Sequence, residues 1–259
     1  MTFVKSIGSK KVNFDFNKEF INIFSEKIKL SDIKFVNQTL KDLHPSDVAD
    51  LIENLSAETR SKLIEIEEFN IEPDIFVELN ESIQTEVLQL LSIDSISKII
   101  KRLESDNAIS ILENLETNKK ESVLNKLPPK DRFLLEEGLS YPEDSAARIM
   151  QREFTAVPVD WSVGQTIDYL RESKELPEEF LDIFIVDNDF KPVGTVPSSR
   201  VLRTPREKKM NSIMREMPVL ISVNMDKEEV GHTFETYNLV SAGVINKNNK
   251  LVGMITADD

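Results

Sequence analysis

The chain has 259 residues, 40% of them hydrophobic, which is enough for two or three domains with real cores. Acidic residues outnumber basic ones 46 to 32, and the net charge of -14 repels phosphate backbones and anionic lipid, arguing against nucleic acid as a partner. With no cysteine there are no disulfides, thiolate metal sites or thiol catalysis, and no stretch reaches the roughly 18 uncharged apolar residues of a membrane span, so the chain as it stands reads as soluble in a reducing compartment.

The first segment, 1–36, lacks the apolar core of a signal peptide, and Phe3, Phe14, Phe16, Phe20 and Phe24 make it apolar enough for an extra helix. From there a beat sets in. Leu43, Leu55, Leu79, Leu91, Leu103, Leu115, Leu127 and Leu139 fall on one twelve-residue ladder, broken only at Glu67. Each rung has an apolar pair three and four positions earlier, such as Leu51 and Ile52 or Ile111 and Leu112, which is one face of a helical turn. Polar cap-like stretches (NLSAETRS, LSIDSISK, ESDNA, ETNKKES) separate the rungs. The unit is a helix of about two turns and a tight corner; helices so short must stack, giving a superhelix over 37–140.

After LPPKDRFLLEEGLSYPEDSA the pattern becomes α/β. The runs FTAVPV, FLDIFIVD and KPVGTV, then VLISV, AGVIN and KLVGMIT, read as strands, and SVGQTIDYLRES and KEEVGHTFETYN as helices. This half also repeats. Ile149-Met150 returns as Ile213-Met214, and each copy ends in Lys-x-Val-Gly, at Lys191–Gly194 and Lys250–Gly253. Two β-α-β-β modules, 141–209 and 210–259, are expected, each with a helix after its hairpin.

These residues resemble a known family. The paired modules are similar to tandem cystathionine-β-synthase (CBS) domains, and the whole chain resembles the cytosolic part of MgtE-type magnesium transporters or channels. The likeness rests on LHPSDVADLIENL, LESDNAISILENL, YPEDSAARIM and LVGMITADD, in that order. It implies an α + α/β fold: a helical extension at 1–36, the family's N domain at 37–140, a first CBS domain at 141–209, and a second at 210–259 that is cut short before its last helix. It also implies a transmembrane pore beyond this chain as partner, a location at the cytoplasmic membrane face, a homodimer through the CBS domains, and regulatory Mg2+. In the family, Mg2+ bridges acidic faces of the N domain, the CBS pair and a linking helix and holds the closed state; when Mg2+ falls, the carboxylates repel and the pore opens. Such weak sites need only one or two acids from each side, because Mg2+ keeps several waters.

By that resemblance the metal ligands are Asp106 facing Asp259, with Asp74, Glu228 and Asp258 as further acids and Glu229 beside Glu228. Read without it, Asp106 is an N-cap and the others are first-turn helix charges. His44 reads as a helix-entrance residue, His232 is isolated, and Trp161 and Tyr169 read as core aromatics. No nucleophile and base pair is found, so no enzyme is expected. The first module has Pro197 and Arg200 where adenosine-binding CBS modules have Ser or Thr and then Asp, which puts ATP or another adenosine nucleotide in doubt. Thr256 to Asp259 keeps that motif in the second. Asn224, Asn238 and Asn246 stand where the family often has Asp, and Gly243 where it has Pro, so fewer or weaker ions than usual are expected. The competing readings are a free-standing nucleotide sensor and a helical scaffold.

Overall fold

A computed structural model describes residues 16–41, 43–66, 71–177, 180–217 and 219–257. The chain forms two compact units, the first ending at Arg102 and the second beginning at Leu103. The first is wholly helical among the described residues: α1 (Lys18–Lys29), α2 (Ile33–Leu40), α3 (Pro45–Glu53), α4 (Ala57–Glu65), α5 (Pro73–Glu78), α6 (Glu81–Leu90) and α7 (Ile93–Ile100). The phenylalanine-rich segment does form a helix, α1, whose Phe20 and Phe24 stack in series with Phe16 just before it, Phe24 being fully buried. Phe3 and Phe14 lie outside the described residues.

Caps mark the helix starts where the polar stretches stood. Ser56, Asn80 and Ser92 accept hydrogen bonds from the third backbone N–H of α4, α6 and α7, and the His44 ring accepts from Ser46 at the start of α3. The apolar pairs lie on the buried faces, as at Leu51 and Ile52, Val87 and Leu88, and Ile99 and Ile100. The ladder leucines themselves sit at the corners: the N–H groups of Leu55, Leu79, Leu115 and Leu127 each bond the carbonyl three residues back, closing the helix with a tight turn while the side chain goes inward. Arg60 secures one such corner, donating to the carbonyls of Ile52, Glu53 and Leu55 and pairing with Glu86 on α6.

The second unit begins with three more rungs, α8 (Ser105–Glu113), α9 (Thr117–Leu124) and α10 (Pro129–Leu139), followed by the one-turn α11 (Ala146–Ile149). Two matching modules follow. The first has β1 (Ala156–Pro158), α12 (Val163–Glu172), β2 (Asp182–Val186), β3 (Pro192–Pro197) and α13 (Ser198–Leu202); the second has β4 (Ile221–Ser222), α14 (Lys227–Tyr237), β5 (Ser241–Ile245) and β6 (Leu251–Thr256). In each sheet the first strand runs parallel to the second and the hairpin is antiparallel. Both hairpins carry the same bulge, between Ile185 and Val186 and between Val244 and Ile245.

The modules are interlocked through their lead-in segments. Met150 and Gln151, which precede the first module's opening strand, lie against the second module: Gln151 exchanges two 2.8 Å backbone hydrogen bonds with Met254 on β6, and Ala146, Ala147 and Met150 share a core with Ile221, Val230, Val244 and Ile255. Reciprocally, Arg215 exchanges backbone bonds with Thr195 on β3, and Ile213 and Met214 pack on the core of Val157, Ile183 and Val196. The glycine that ends each Lys-x-Val-Gly is explained by this crossing. A Cβ on Gly194 would stand 2.7 Å from the Arg215 carbonyl oxygen, and one on Gly253 2.8 Å from that of Gln151.

Two of the three asparagines that replace expected aspartates have conformational uses. Asn238 caps α14 with a left-handed backbone (φ 49°), which Asn tolerates better than most residues. Asn246 Oδ1 accepts from the backbone N–H groups of Asn248 and Lys250, as Asp187 does from Asp189 and Lys191 in the first hairpin. Gly243 lets the edge of Phe184 approach, a Cβ there falling 3.1 Å from Phe184 Cε1.

Candidate functional site

The chemistry-bearing side chains of the second unit gather where α8 and α10 meet the lead-in that carries α11. The residue before α8, Glu104, gives no side-chain cap. Glu153 supplies one from a distance: its Oε2 accepts from the Ser105 N–H (3.1 Å) and the Ser105 hydroxyl (2.9 Å), while the Arg152 N–H donates to Ser105 Oγ (2.8 Å). One orphan donor of the helix is thus satisfied by a carboxylate that also suits the dipole.

Two arginines four residues apart, Arg148 in α11 and Arg152 in the extended segment after it, complete the seam. Arg148, 10% exposed, donates from Nε to the Tyr141 carbonyl (2.8 Å) and from Nη2 to the Leu139 carbonyl (2.9 Å), and its Nη1 pairs with Glu113 at the end of α8. Arg152, 8% exposed, pairs through Nη1 with Glu137 of α10 (2.7 Å); its Nε and Nη2 are buried without a hydrogen-bond partner. Gly138 permits the close approach of α10 to α8, because a Cβ there would overlap Ile109, itself fully buried. Beside the seam, Lys227 Nζ bonds Asp144 at 3.1 Å, and that carboxylate, with Asp226 and Glu113 nearby, holds the ammonium pKa above its ordinary value.

Asp106 stands in the first turn of α8, half-buried, and is not the N-cap. Glu228 and Glu229 are exposed in the first turn of α14, where Asp226 is the cap and accepts from the Glu228 N–H at 2.8 Å. Asp74 is exposed in the first turn of α5, in the first unit. Asp258 and Asp259 lie outside the described residues. Among the described residues no group of three or more His, Asp or Glu is arranged to hold a metal ion. Arg148, Arg152 and Glu153 were not anticipated; the signal available was the pair of arginines four apart in AARIMQRE, in a chain so rich in acid.

A cleft of about 770 Å3 opens between the two modules. Phe180, Leu181, Phe184, Val240 and Met254 give it apolar walls, and Glu104, Glu153 and Asp182 give it carboxylates, with no Lys or Arg among the described lining residues. Glu104, two residues before Asp106, shares this cleft with Thr256 and Ala257, which immediately precede Asp258. Arg200 is turned to another use, donating from Nη1 to the Ile213 carbonyl at 2.8 Å and so tying α13 to the second lead-in.

Residues 43–144 match the family model described as the MgtE intracellular N domain, and residues 146–207 and 210–259 match the CBS domain. The magnesium transporter MgtE of Bacillus subtilis is 26% identical over 121 residues, 47% of this chain and 27% of that protein. MgtE of Thermus thermophilus is 26% identical over 133 residues, 51% of this chain and 30% of that protein. The aligned stretches thus span less than a third of these curated relatives. Among solved structures, the cytosolic domain of the Mg2+ channel MgtE in complex with ATP shares the fold with a TM-score of 0.81, at 22% identity, over 92% of this chain and 97% of that one. The soluble part of a magnesium transporter gives 0.76, at 20% identity, over 93% and 95%. Among the described residues no helix is long and apolar enough to cross a membrane.

Proposed function

We propose that the chain, which carries an MgtE intracellular N domain followed by a CBS pair, is the Mg2+-sensing regulatory region of a magnesium transporter or channel. It acts on a pore that is not in this chain, at the cytoplasmic face of the membrane, and is not an enzyme. Asp106 and Asp259 are the central ligands; Asp74, Glu228 and Asp258 supply further acids. The observation that supports this reading is the shared cleft: Glu104, just before α8, and Ala257, just after β6, line one hollow, and an ion that keeps its waters needs only one or two acids from each side. Where carboxylates face each other near 4 Å, their repulsion of about 1–4 kcal/mol is enough to bias a two-position equilibrium.

Small-angle scattering with and without millimolar Mg2+, on this chain and on Asp259→Ala, tests it. The wild-type radius of gyration falls on adding Mg2+ and the variant's does not; a wild type indifferent to Mg2+ overturns the reading.

The cleft is a poor host for a polyphosphate. Its carboxylates face any anion without a guanidinium or ammonium among the described lining residues, and Arg200 is occupied by Ile213. Titration calorimetry with ATP is expected to give no binding heat at micromolar protein. A homodimer through the CBS pair belongs to the same proposal; Leu202 and Tyr237, 76% and 55% exposed, are apolar surface available for it. Light scattering at a mass of one chain would remove that part.

A further inference from the structure

We propose that the cleft between the two modules binds an organic cation of the linear polyamine type, with its ammonium groups on Glu104, Glu153 and Asp182 and its methylene chain on the apolar walls. The inference does not need the Mg2+ reading above, which leaves most of this hollow without a use.

A magnesium ion is met by oxygen, from carboxylates or from the waters it keeps, and gains nothing from hydrocarbon. Yet much of the cleft is hydrocarbon. Phe180, Phe184 and Met254 line it, together with Leu181 and Val240, which are 71% and 62% exposed. Those last two are matched positions of the repeat. Each directly precedes the middle strand of its sheet, β2 or β5, and the carbonyl of each accepts from the residue just past the hairpin: the Ser198 N–H donates to Leu181 at 2.8 Å and the Ala257 N–H to Val240 at 3.0 Å. The duplication thus sets two large apolar side chains on one hollow and leaves both to water, the mark of a surface that receives a ligand with an apolar body. At about 770 Å3 the hollow has the size of a small-molecule site.

The polar groups decide which small molecule. Every ionisable side chain among the described lining residues is an acid, and the acids stand in two places. Glu104 directly precedes α8, and Glu153 is bonded to Ser105 at that helix's start; Glu153 Oε2 accepts from the Ser105 N–H, the Ser105 hydroxyl and the Arg152 N–H, and its Oε1 from no described group. Asp182 opens β2, where the Ser241 hydroxyl donates to its Oδ2 at 3.3 Å and no cation among the described residues pairs with it. An anion is repelled here, and a neutral ligand leaves these charges unanswered. A compact cation meets one group of acids and leaves the walls bare. Ammonium groups spaced by methylenes answer both demands, as a lysine does when it lays its stem on apolar surface and keeps its head among polar groups.

Titration of spermidine into the whole chain, in EDTA and about 150 mM salt, tests this, with calorimetry for stoichiometry and methionine methyl NMR for the place. The salt matters because a net charge of -14 attracts any polycation, and screening beyond about 8 Å removes that loose attraction while close pairs survive. A single saturable site is expected, with the Met254 methyl signal shifted, and Asp182→Asn and Leu181→Lys are each expected to weaken binding at least about tenfold. Leu181 is so exposed that its replacement spares the fold, which keeps the test decisive should Asp182→Asn misfold. An unshifted Met254 methyl, uptake without saturation, or wild-type affinity in either folded variant would overturn the proposal, as would tighter binding of adenosine than of spermidine. The two readings fail separately: a radius of gyration that ignores Mg2+ removes the sensor and leaves the amine site, while a Mg2+ response in a chain that spermidine does not shift at Met254 does the reverse.

Discussion

Replacing Arg148 by Met is expected to be far more damaging than replacing Arg152, although both arginines are about nine-tenths buried and each pairs with a glutamate. Methionine keeps the length of the arginine stem in either case, so the difference lies in the polar partners. Arg148 serves three of them. Its loss leaves the Leu139 carbonyl, among the last of α10, and the Tyr141 carbonyl without a donor, and releases Glu113. Each carbonyl left unmet costs about 1–3 kcal/mol, and breaking a buried pair typically costs about 3–5 kcal/mol in all. Arg152 serves only Glu137 through its side chain, and its Nε and Nη2 are buried without partners, so methionine removes one pair and two unmet donors together. Glu137 is 41% exposed and returns to water, for a net cost of about 1 kcal/mol or less. Trp161, the one tryptophan, packs on the first CBS core, and the interlocked lead-ins make both modules unfold together. With a slope of about 3 kcal/mol per molar urea, the fluorescence midpoint drops by about 1–1.7 M for Arg148→Met and by about 0.3 M for Arg152→Met. Equal drops, or a larger one for Arg152→Met, would refute the reasoning.

Three further outcomes follow from the geometry. Gly253→Ala and Gly194→Ala drive a Cβ against backbone oxygen at 2.8 and 2.7 Å, so each should lose about 1–3 kcal/mol in thermal melts. Gly231→Ala, on the exposed side of α14 with nothing within 4 Å, should gain about 0.5–1 kcal/mol, and the argument fails if all three shift alike. The Arg206 guanidinium bonded to Asp168 holds that carboxyl below its ordinary 3.8, so the pair stabilises the fold above that pH and is lost as pH falls through the lowered value. NMR titration should find the Asp168 midpoint moved up in Arg206→Gln; an unmoved midpoint contradicts the pairing. Lys227 has the opposite sign: its raised pKa contributes stability below 10.5 that is lost as pH climbs through the folded value, and Asp144→Asn should bring the lysine midpoint down.

Much of the fold was legible because periodicity is a local property. The twelve-residue beat specified short helices, and the β-α-β-β order of each module followed from apolar runs and polar turns. The ladder leucines were less transparent. An apolar residue four positions after a helical pair reads as the next turn of the same face, yet Leu55 and Leu79 lie past or at the helix end, in corners closed by tight turns. The repeat of Ile149-Met150 as Ile213-Met214 was visible, but nothing local tells that each lead-in completes the other module's sheet. Asn238 and Asn246 were read as lost carboxylates; a left-handed cap and a hairpin closure are conformational roles that show only once the backbone is traced. The arginine seam escaped because ion pairs join residues 15 to 35 apart, as in Arg152–Glu137 and Arg148–Glu113, and charge patterns report neighbours along one helix face.

The placement of the proposed ligands bears on how strongly Mg2+ can act. Asp74, Asp106 and Glu228 each stand in the first turn of a helix, where the macrodipole already favours negative charge. That dipole reduces the repulsion the ion is meant to relieve and opposes a cation brought to the same spot, by about 0.3–1 kcal/mol per helix end, or a factor of about two to five in affinity. Two such ends meeting at one ion weaken it by about an order of magnitude relative to carboxylates free of a helix. A regulatory ion needs that weakness, since it must leave when its concentration falls. On this chain the proposed acids at helix starts suit an ion that comes and goes.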